Sequence, residues 1–172
     1  MTEKKDLYSV VDIGKKSAFD DTLQFTTFYV AGRLYGIDVT KVQEVVKPMP
    51  MTSIPLAPHY LTGLINLRGQ IATGIGMREL FDLPKRKAEE LMNVVCKTNG
   101  VLISFQVDEI GDVLEVSKEQ FEAIPPTISE NVRRFLGGVY KINRQLLGVI
   151  DIDPVASFMG LASTGSSDRA SS

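Results

Sequence analysis

Tryptophan is absent from this chain, and histidine and cysteine occur once each, as His59 and Cys96. A single thiol excludes an internal disulfide and fits a reducing cytosol. A single imidazole leaves no His pair for a metal site and one possible base for a nucleophilic triad. His59 stands in a Pro-rich loop beside Tyr60 and reads as a surface or edge-packed residue, while Cys96 lies within a strand-forming run and reads as a buried structural thiol. Long apolar runs are missing too: nothing approaches a membrane span, and Met1 to Asp6 leads into no secretory apolar segment. Charge of one sign is not in excess, with 19 basic against 21 acidic residues and a net charge of -2. That balance supplies no pull toward nucleic acid or anionic lipid.

Nucleotide-binding loops are also lacking. Gly74-Ile75-Gly76-Met77-Arg78-Glu79 suggests a phosphate loop but has no third Gly and no βαβ setting. Lys85-Arg86-Lys87 is offset by Glu89 and Glu90 and reads as a wetted connector. Asp151 and Asp153 end a strand. No catalytic constellation, metal or cofactor is expected, and the chain reads as a soluble cytoplasmic protein. What it has is apolar content of 44% over 172 residues, enough to bury a core in one domain or two small ones tightly packed.

The local patterns are those of strands. Gln24 to Val30 is rich in aromatic and β-branched residues, Ala31-Gly32-Arg33 breaks it, and Leu34 to Val39 runs back as a hairpin. Thr40 is expected to cap a helical turn through Val42, with Glu44-Val45-Val46 resuming as strand. Pro48, Pro50, Pro55 and Pro58 make 47–59 a loop. Met77 to Phe81 reads as a short helix stopped by Pro84. Asn99-Gly100 sits between Asn93–Cys96 and Val101–Val107 as a type I′ turn. In the second arm Val101, Ile103, Phe105 and Val107 share one face while Ser104, Gln106 and Asp108 lie on the other, a half-buried strand. Ile110–Val116 follows as strand, Ser129 as the cap of a helix through Arg134, and Gly138–Ile142 with Gln145–Ile150 as a last hairpin about Asn143-Arg144. Pro154 to Leu161 is expected to form a closing helix. Residues 1–21 read as a loose lead-in and 162–172 as a disordered Ser-rich tail.

One stretch resists a purely structural reading: Gly63-Leu64-Ile65-Asn66-Leu67-Arg68-Gly69-Gln70-Ile71. An Arg among so many apolar residues is expensive to bury and needs a partner. A loop tip between strands would turn Arg68 and Asn66 outward while Leu64 and Leu67 anchor the core. The stretch is echoed at Gly138-Val139-Tyr140 with Arg144 and Gln145, and Ile37-Asp38 before Glu44-Val45 is echoed by Val107-Asp108 before Glu115-Val116. These echoes predict a duplicated chain folded as two similar small β-barrels, divided near 84–92.

Tyr35-Gly36-Ile37-Asp38, Val42-Gln43-Glu44-Val45, Ile54-Pro55, Gly63 to Gly69 and Val107-Asp108 with Val113 occur in the order and spacing of the chemotaxis coupling protein CheW family, which the chain resembles from Leu23 to Phe158. The resemblance implies an all-β fold of two five-stranded SH3-like barrels packed together with a few short helices. It also implies a non-catalytic adaptor that joins the histidine kinase CheA to the cytoplasmic tips of transmembrane chemoreceptors. The functional residues it carries over are Val42, Glu44 and Arg68, with Glu44 and Arg68 paired near the partner-binding surface. The chain departs from the family after Gly69: Thr73 stands where the family has Pro and Gly76 where it has Asp, which removes an expected helix cap.

Receptor tips are helical, so the expected contact is a helix in an apolar groove between the barrels, edged by Val42, Val45 and Leu64 and oriented by Asn66 and Arg68, with Leu67 and Gly69 completing the motif. Composition suits Val42, Val45 and Leu64 to core as well as to groove. With no receiver-type segment and no kinase segments, a standalone adaptor is expected. The rival class is a small β-barrel that binds nucleic acid; it would need a basic face beside stacked aromatics, and Phe25, Phe28 and Tyr29 come without clustered Lys or Arg.

Overall fold

The computed structural model describes residues 21–161; the rest of the expected lead-in and the Ser-rich tail over 162–172 lie outside the described residues. The strands are β1 (Thr22–Val30), β2 (Arg33–Asp38), β3 (Val42–Val46), β4 (Leu61–Leu67), β5 (Gln70–Gly76), β6 (Met92–Thr98), β7 (Val101–Val107), β8 (Glu109–Ser117), β9 (Phe121–Glu122), β10 (Leu136–Ile142) and β11 (Gln145–Ile150). Three short helices accompany them: α1 (Met77–Leu80), α2 (Glu130–Arg133) and α3 (Ile152–Phe158). Tight turns make the hairpins. Ala31-Gly32 and Asn99-Gly100 both have positive φ at the two turn positions, which matches the twist of the strands they join.

The strands form two sheets, β3-β6-β7-β5-β4 and β8-β1-β2-β11-β10-β9. Each closes into an SH3-like barrel. In barrel I the outer strands are β3 and β4, and the chain after β3 returns to β4 through a bridge, Thr52 and Leu64 exchanging both backbone hydrogen bonds at 2.9 and 2.8 Å. In barrel II β8 runs through the 3-10 turn Lys118–Gln120 into β9, so one bent strand pairs with β1 at its start and β10 at its end.

The two halves of the chain correspond in register, five strands to five, with β9 matched in the other barrel only by the Thr52–Leu64 bridge. The β4–β5 hairpin shifts register between Leu61 and Gly63, and β10–β11 shifts between Leu136 and Gly138. The parallel pair β5–β7 sets Ala72 beside Leu102, as β11–β2 sets Leu147 beside Leu34. The expected duplication is therefore visible in the pairing, with two corrections. The barrels exchange strands, β1 and β2 joining the C-terminal strands and β6 and β7 the N-terminal ones. Parallel pairing of β2 with β11 requires a long crossover, which the whole intervening barrel supplies. A division near 84–92 thus falls between the halves of the repeat, not between the barrels. The register also pairs Val45 with Val113, through Val94 and Thr26, so Glu44 matches Asp112 rather than Glu115.

Each barrel has its own small core. Ile65, Leu67, Ala72, Val95 and Leu102 fill barrel I, and Phe25, Leu34, Val116, Tyr140 and Leu147 fill barrel II. A larger shared core lies between them, built from Phe28, Tyr35 and Ile37 of one barrel, Val94, Ile103, Phe105 and Val107 of the other, and the helix residues Met77, Leu80, Ile152 and Val155.

Other local expectations change in the structure. β7 is not half-buried: Ile103, Phe105 and Val107 pack into the shared core on one face and Leu102 into the barrel I core on the other, so Ser104 is fully buried. Its polar side chains find partners, Ser104 Oγ donating to Asn93 Oδ1 at 3.1 Å. The turn after β2 spans Val39–Lys41 and is capped by Asp38, whose Oδ1 accepts from Thr40 N and Thr40 Oγ1 at 2.9 and 2.7 Å. Thr40 is the residue being capped. Ser129 occupies the N-cap of α2 without a side-chain bond. α3 starts at Ile152, earlier than expected, because Asp151 Oδ1 accepts from Asp153 N and Pro154 fits in the first turn, where its missing N–H is no loss.

Candidate functional site

Leu61 to Leu67 is strand rather than loop, and the turn is confined to Arg68-Gly69. Strand alternation decides which side chains go inward. Ile65 and Leu67 face the barrel I core, buried to 0% and 3% exposure. Leu64, expected to anchor the core, is on the opposite face and half-buried, its place fixed by the backbone exchange with Thr52. Gly63 admits that approach, since a Cβ there would stand 2.8 Å from the Thr52 carbonyl oxygen.

At the turn, Arg68 has φ 51 and Gly69 φ 90. This left-handed pair suits glycine and costs an L-residue about 1–2 kcal/mol. Asn66 secures it, Oδ1 accepting from Gly69 N at 2.9 Å. Asn66 therefore shapes the hairpin, and the Arg68 guanidinium projects from its tip.

That guanidinium reaches Glu44. Arg68 Nη2 donates to Glu44 Oε2, the Arg side chain 71% exposed and the Glu 23%. β3 and β4 are the two outer strands of the sheet, so the ion pair spans the seam of barrel I, in addition to the Thr52–Leu64 bridge. A bulge between Val42 and Glu44 places Val42 and Val45 on one face, across from Cys96 and Val94 of the shared core. Val42 is half-buried against that core, and Val45 is 36% exposed at its rim. The structure thus brings Glu44 and Arg68 together, sets Val42 and Val45 on the opposite face of β3 from Glu44, and leaves Leu64 on the outer face of β4.

A second charged cluster lies outside the expected site. Asp108 lies at the crossover from β7 to β8, where its carboxylate accepts from Arg78 Nε and Nη2 at 2.9 and 2.7 Å and from Ala31 N at 2.8 Å. Arg78 Nη1 donates to the Pro84 carbonyl at 2.8 Å. Both side chains are largely buried, at 9% and 16% exposure. Burial opposes ionisation of Asp108, but the Arg78 hydrogen bonds, the Ala31 N–H and the charges of Arg78 and Arg86 outweigh it and hold the carboxyl below its ordinary value. The network ties α1 and the β1–β2 turn to the crossover between barrels. The sequence signal was there, an Arg in the first turn after a buried strand, but its partner lies 30 residues away.

The residues with catalytic potential are otherwise engaged. Cys96 is fully buried, and burial pushes its thiol up to about 12, so no thiolate is available. His59 is exposed and hydrogen-bonds the Glu79 carbonyl at 3.1 Å. The Gly76 departure also has a physical counterpart. Glu79 folds back so far that a Cβ on Gly76 would stand 2.2 Å from its Oε1. A carboxylate from the third position of α1 fills the space above Gly76, and the backbone N–H of Gly76 is taken by the Tyr60 carbonyl at 3.0 Å.

A family model described as the CheW-like domain matches residues 24–158. The chain belongs to the CheW family. It is 31% identical over 147 residues to the chemotaxis protein CheW of Treponema pallidum, covering 80% of this chain and 84% of the relative. It is 26% identical over 142 residues to that of Helicobacter pylori, covering 82% and 86%. Among solved structures, the scaffolding protein TtCheW from Thermoanaerobacter tengcongensis matches with a TM-score of 0.67 at 30% identity, covering 76% of this chain and 84% of that one. The CheW family supports a chemotaxis adaptor or scaffold and chemotaxis signalling partners in general. Among the described residues no helix is long and apolar enough to cross a membrane.

Proposed function

We propose that this chain is a non-catalytic cytoplasmic adaptor that couples the histidine kinase CheA to the tips of membrane chemoreceptors, with the Glu44–Arg68 seam of barrel I and the adjacent Val42–Val45 face as part of the partner-binding surface. One observation carries the site: an exposed Arg occupies a left-handed turn position where Asn or Gly folds at lower cost, and its charge is aimed by a carboxylate on another strand. An Arg placed where the fold does not favour it points to a role outside the fold. An adaptor of this kind acts by contacting both partners at once, so that a small movement of one changes the free energy of the other.

Co-sedimentation with receptor fragments and CheA tests the reading. Arg68→Ala and Glu44→Ala should each weaken capture about tenfold or more and reduce control of kinase activity, with the melting temperature little changed. Wild-type capture by both variants would remove this surface from the interface. The purified chain alone should hydrolyse no ATP, and reproducible turnover would overturn the adaptor reading.

A further inference from the structure

Beside the β10–β11 turn of barrel II lies a cleft of about 310 Å³. Its floor is apolar, formed by Leu34, Tyr35 and Leu136, and Leu146 stands 41% exposed at its edge. Arg33 and Arg144 flank it, and no Asp or Glu lines it. Neither Arg has a carboxylate within ion-pair distance among the described residues. The opposite wall is held in place, the Pro125 carbonyl accepting from Arg133 Nη2 at 2.7 Å and from Ile128 N at 3.1 Å.

The repeat provides an internal control. Barrel I has the matching hollow, lined by Gln70, Ile71, Thr73, Val101 and Leu102, with one cation, Lys97, against the two guanidinium groups of barrel II. In register, Arg33 follows its hairpin turn as Val101 follows the equivalent one, and Arg144 holds the second turn position that Gly69 holds in barrel I. Hairpins of the same length and register thus form without either guanidinium. Two cations that the fold does not require, placed over an apolar floor in a chain of net charge -2, favour an anionic, partly apolar occupant.

We propose that this cleft binds an acidic peptide segment in which apolar side chains alternate with carboxylates, the carboxylates meeting Arg33 and Arg144 and an apolar side chain resting between Leu34, Leu136 and Leu146. The site is separate from the Arg68 seam, where the cation is already matched by Glu44.

The test is fluorescence anisotropy with a capped, labelled peptide of alternating Asp and Leu, run beside the same peptide with Ser for Asp. The acidic peptide should bind the full chain and weaken steeply with added salt. Arg33→Val and Arg144→Gly, which copy the residues of barrel I, should each weaken it about tenfold, and together abolish it, with unchanged thermal melting. Arg68→Ala should leave it untouched. Equal binding of the Ser peptide, wild-type affinity in the double variant, or an equal loss in Arg68→Ala would each overturn the assignment.

Discussion

The hairpins β4–β5 and β10–β11 have the same length of turn, the same register shift and the same parallel neighbour, yet their turns carry different chemistry. In barrel I the left-handed position holds Arg68, bonded to Glu44; in barrel II it holds Asn143, a residue that tolerates φ 55 more readily. The pairing pattern is what the fold needs, and it is met twice. The turns also differ at their second position, where Gly69 keeps a left-handed φ of 90 and Arg144 does not, so the residues that differ on hairpins of equal length and register are where function is to be sought.

The barrel interiors differ in kind as well. Barrel II packs Phe25 where barrel I has Asn93, and Leu147 where barrel I has Ala72. Gly36 makes room for both, because a Cβ there would stand 3.1 Å from each of Phe25 and Leu147. Barrel I instead places Ser104 at that point and joins it to Asn93, which also reaches the Lys47 carbonyl at 3.3 Å. Truncation should separate an apolar core from a polar one. Phe25→Ala leaves a cavity and should cost about 3–5 kcal/mol; Asn93→Ala strands the Ser104 hydroxyl and should cost about 1–3 kcal/mol. Denaturant titration reads both, and equal losses would break the contrast.

The two crossovers between barrels form a second contrast. After β2, Asp38 caps its own turn; after β7, Asp108 gathers Arg78 and Ala31 from distant segments. Arg78→Ala removes the bidentate partner of a buried carboxylate, leaving it the Ala31 N–H and Arg86 at 3.8 Å, and should destabilise by about 3 kcal/mol. The pH dependence follows from the lowered pKa of Asp108. A folded-state value below the unfolded one, about 3.9, means that ionised Asp108 favours the native state. Its contribution is complete above that value and disappears as pH falls through the folded value. Wild type should therefore lose more stability below about pH 4 than Asp108→Asn, and parallel acid profiles would show that the clamp contributes nothing.

Much of this was legible in the sequence because it is local. Asn99-Gly100, the Pro loop over 47–59 and the alternation of each strand announce themselves within a few residues. The burial of Ser104 and the exchange of strands were not legible, since a strand's second face is decided by the layer that covers it. The Glu44–Arg68 pair came from family resemblance, and the apolar setting of Arg68 supplied only the demand for a partner. Composition suits Leu64 to core or groove alike, and only the strand geometry of the motif decides that Ile65 and Leu67 point inward and Leu64 outward.

The Glu44–Arg68 seam should yield the smallest stability effect and the most specific one. Arg68 is 71% exposed, so solvent screens the pair, and exposed pairs contribute about 0–1 kcal/mol. Against that, the left-handed φ of Arg68 disfavours the turn. Arg68→Asn copies barrel II, relieves that strain and removes the ion pair, so the two changes in folding free energy oppose each other. Its melting temperature should match or slightly exceed that of wild type, while Arg68→Ala should fall slightly below. A cycle pairing Glu44→Ala with Arg68→Asn isolates the charge coupling, expected at about 0.2–1 kcal/mol and shrinking with salt. A coupling of several kcal/mol would make the pair a structural clamp like Arg78–Asp108, and the seam of barrel I would then owe its Arg to folding rather than to a partner.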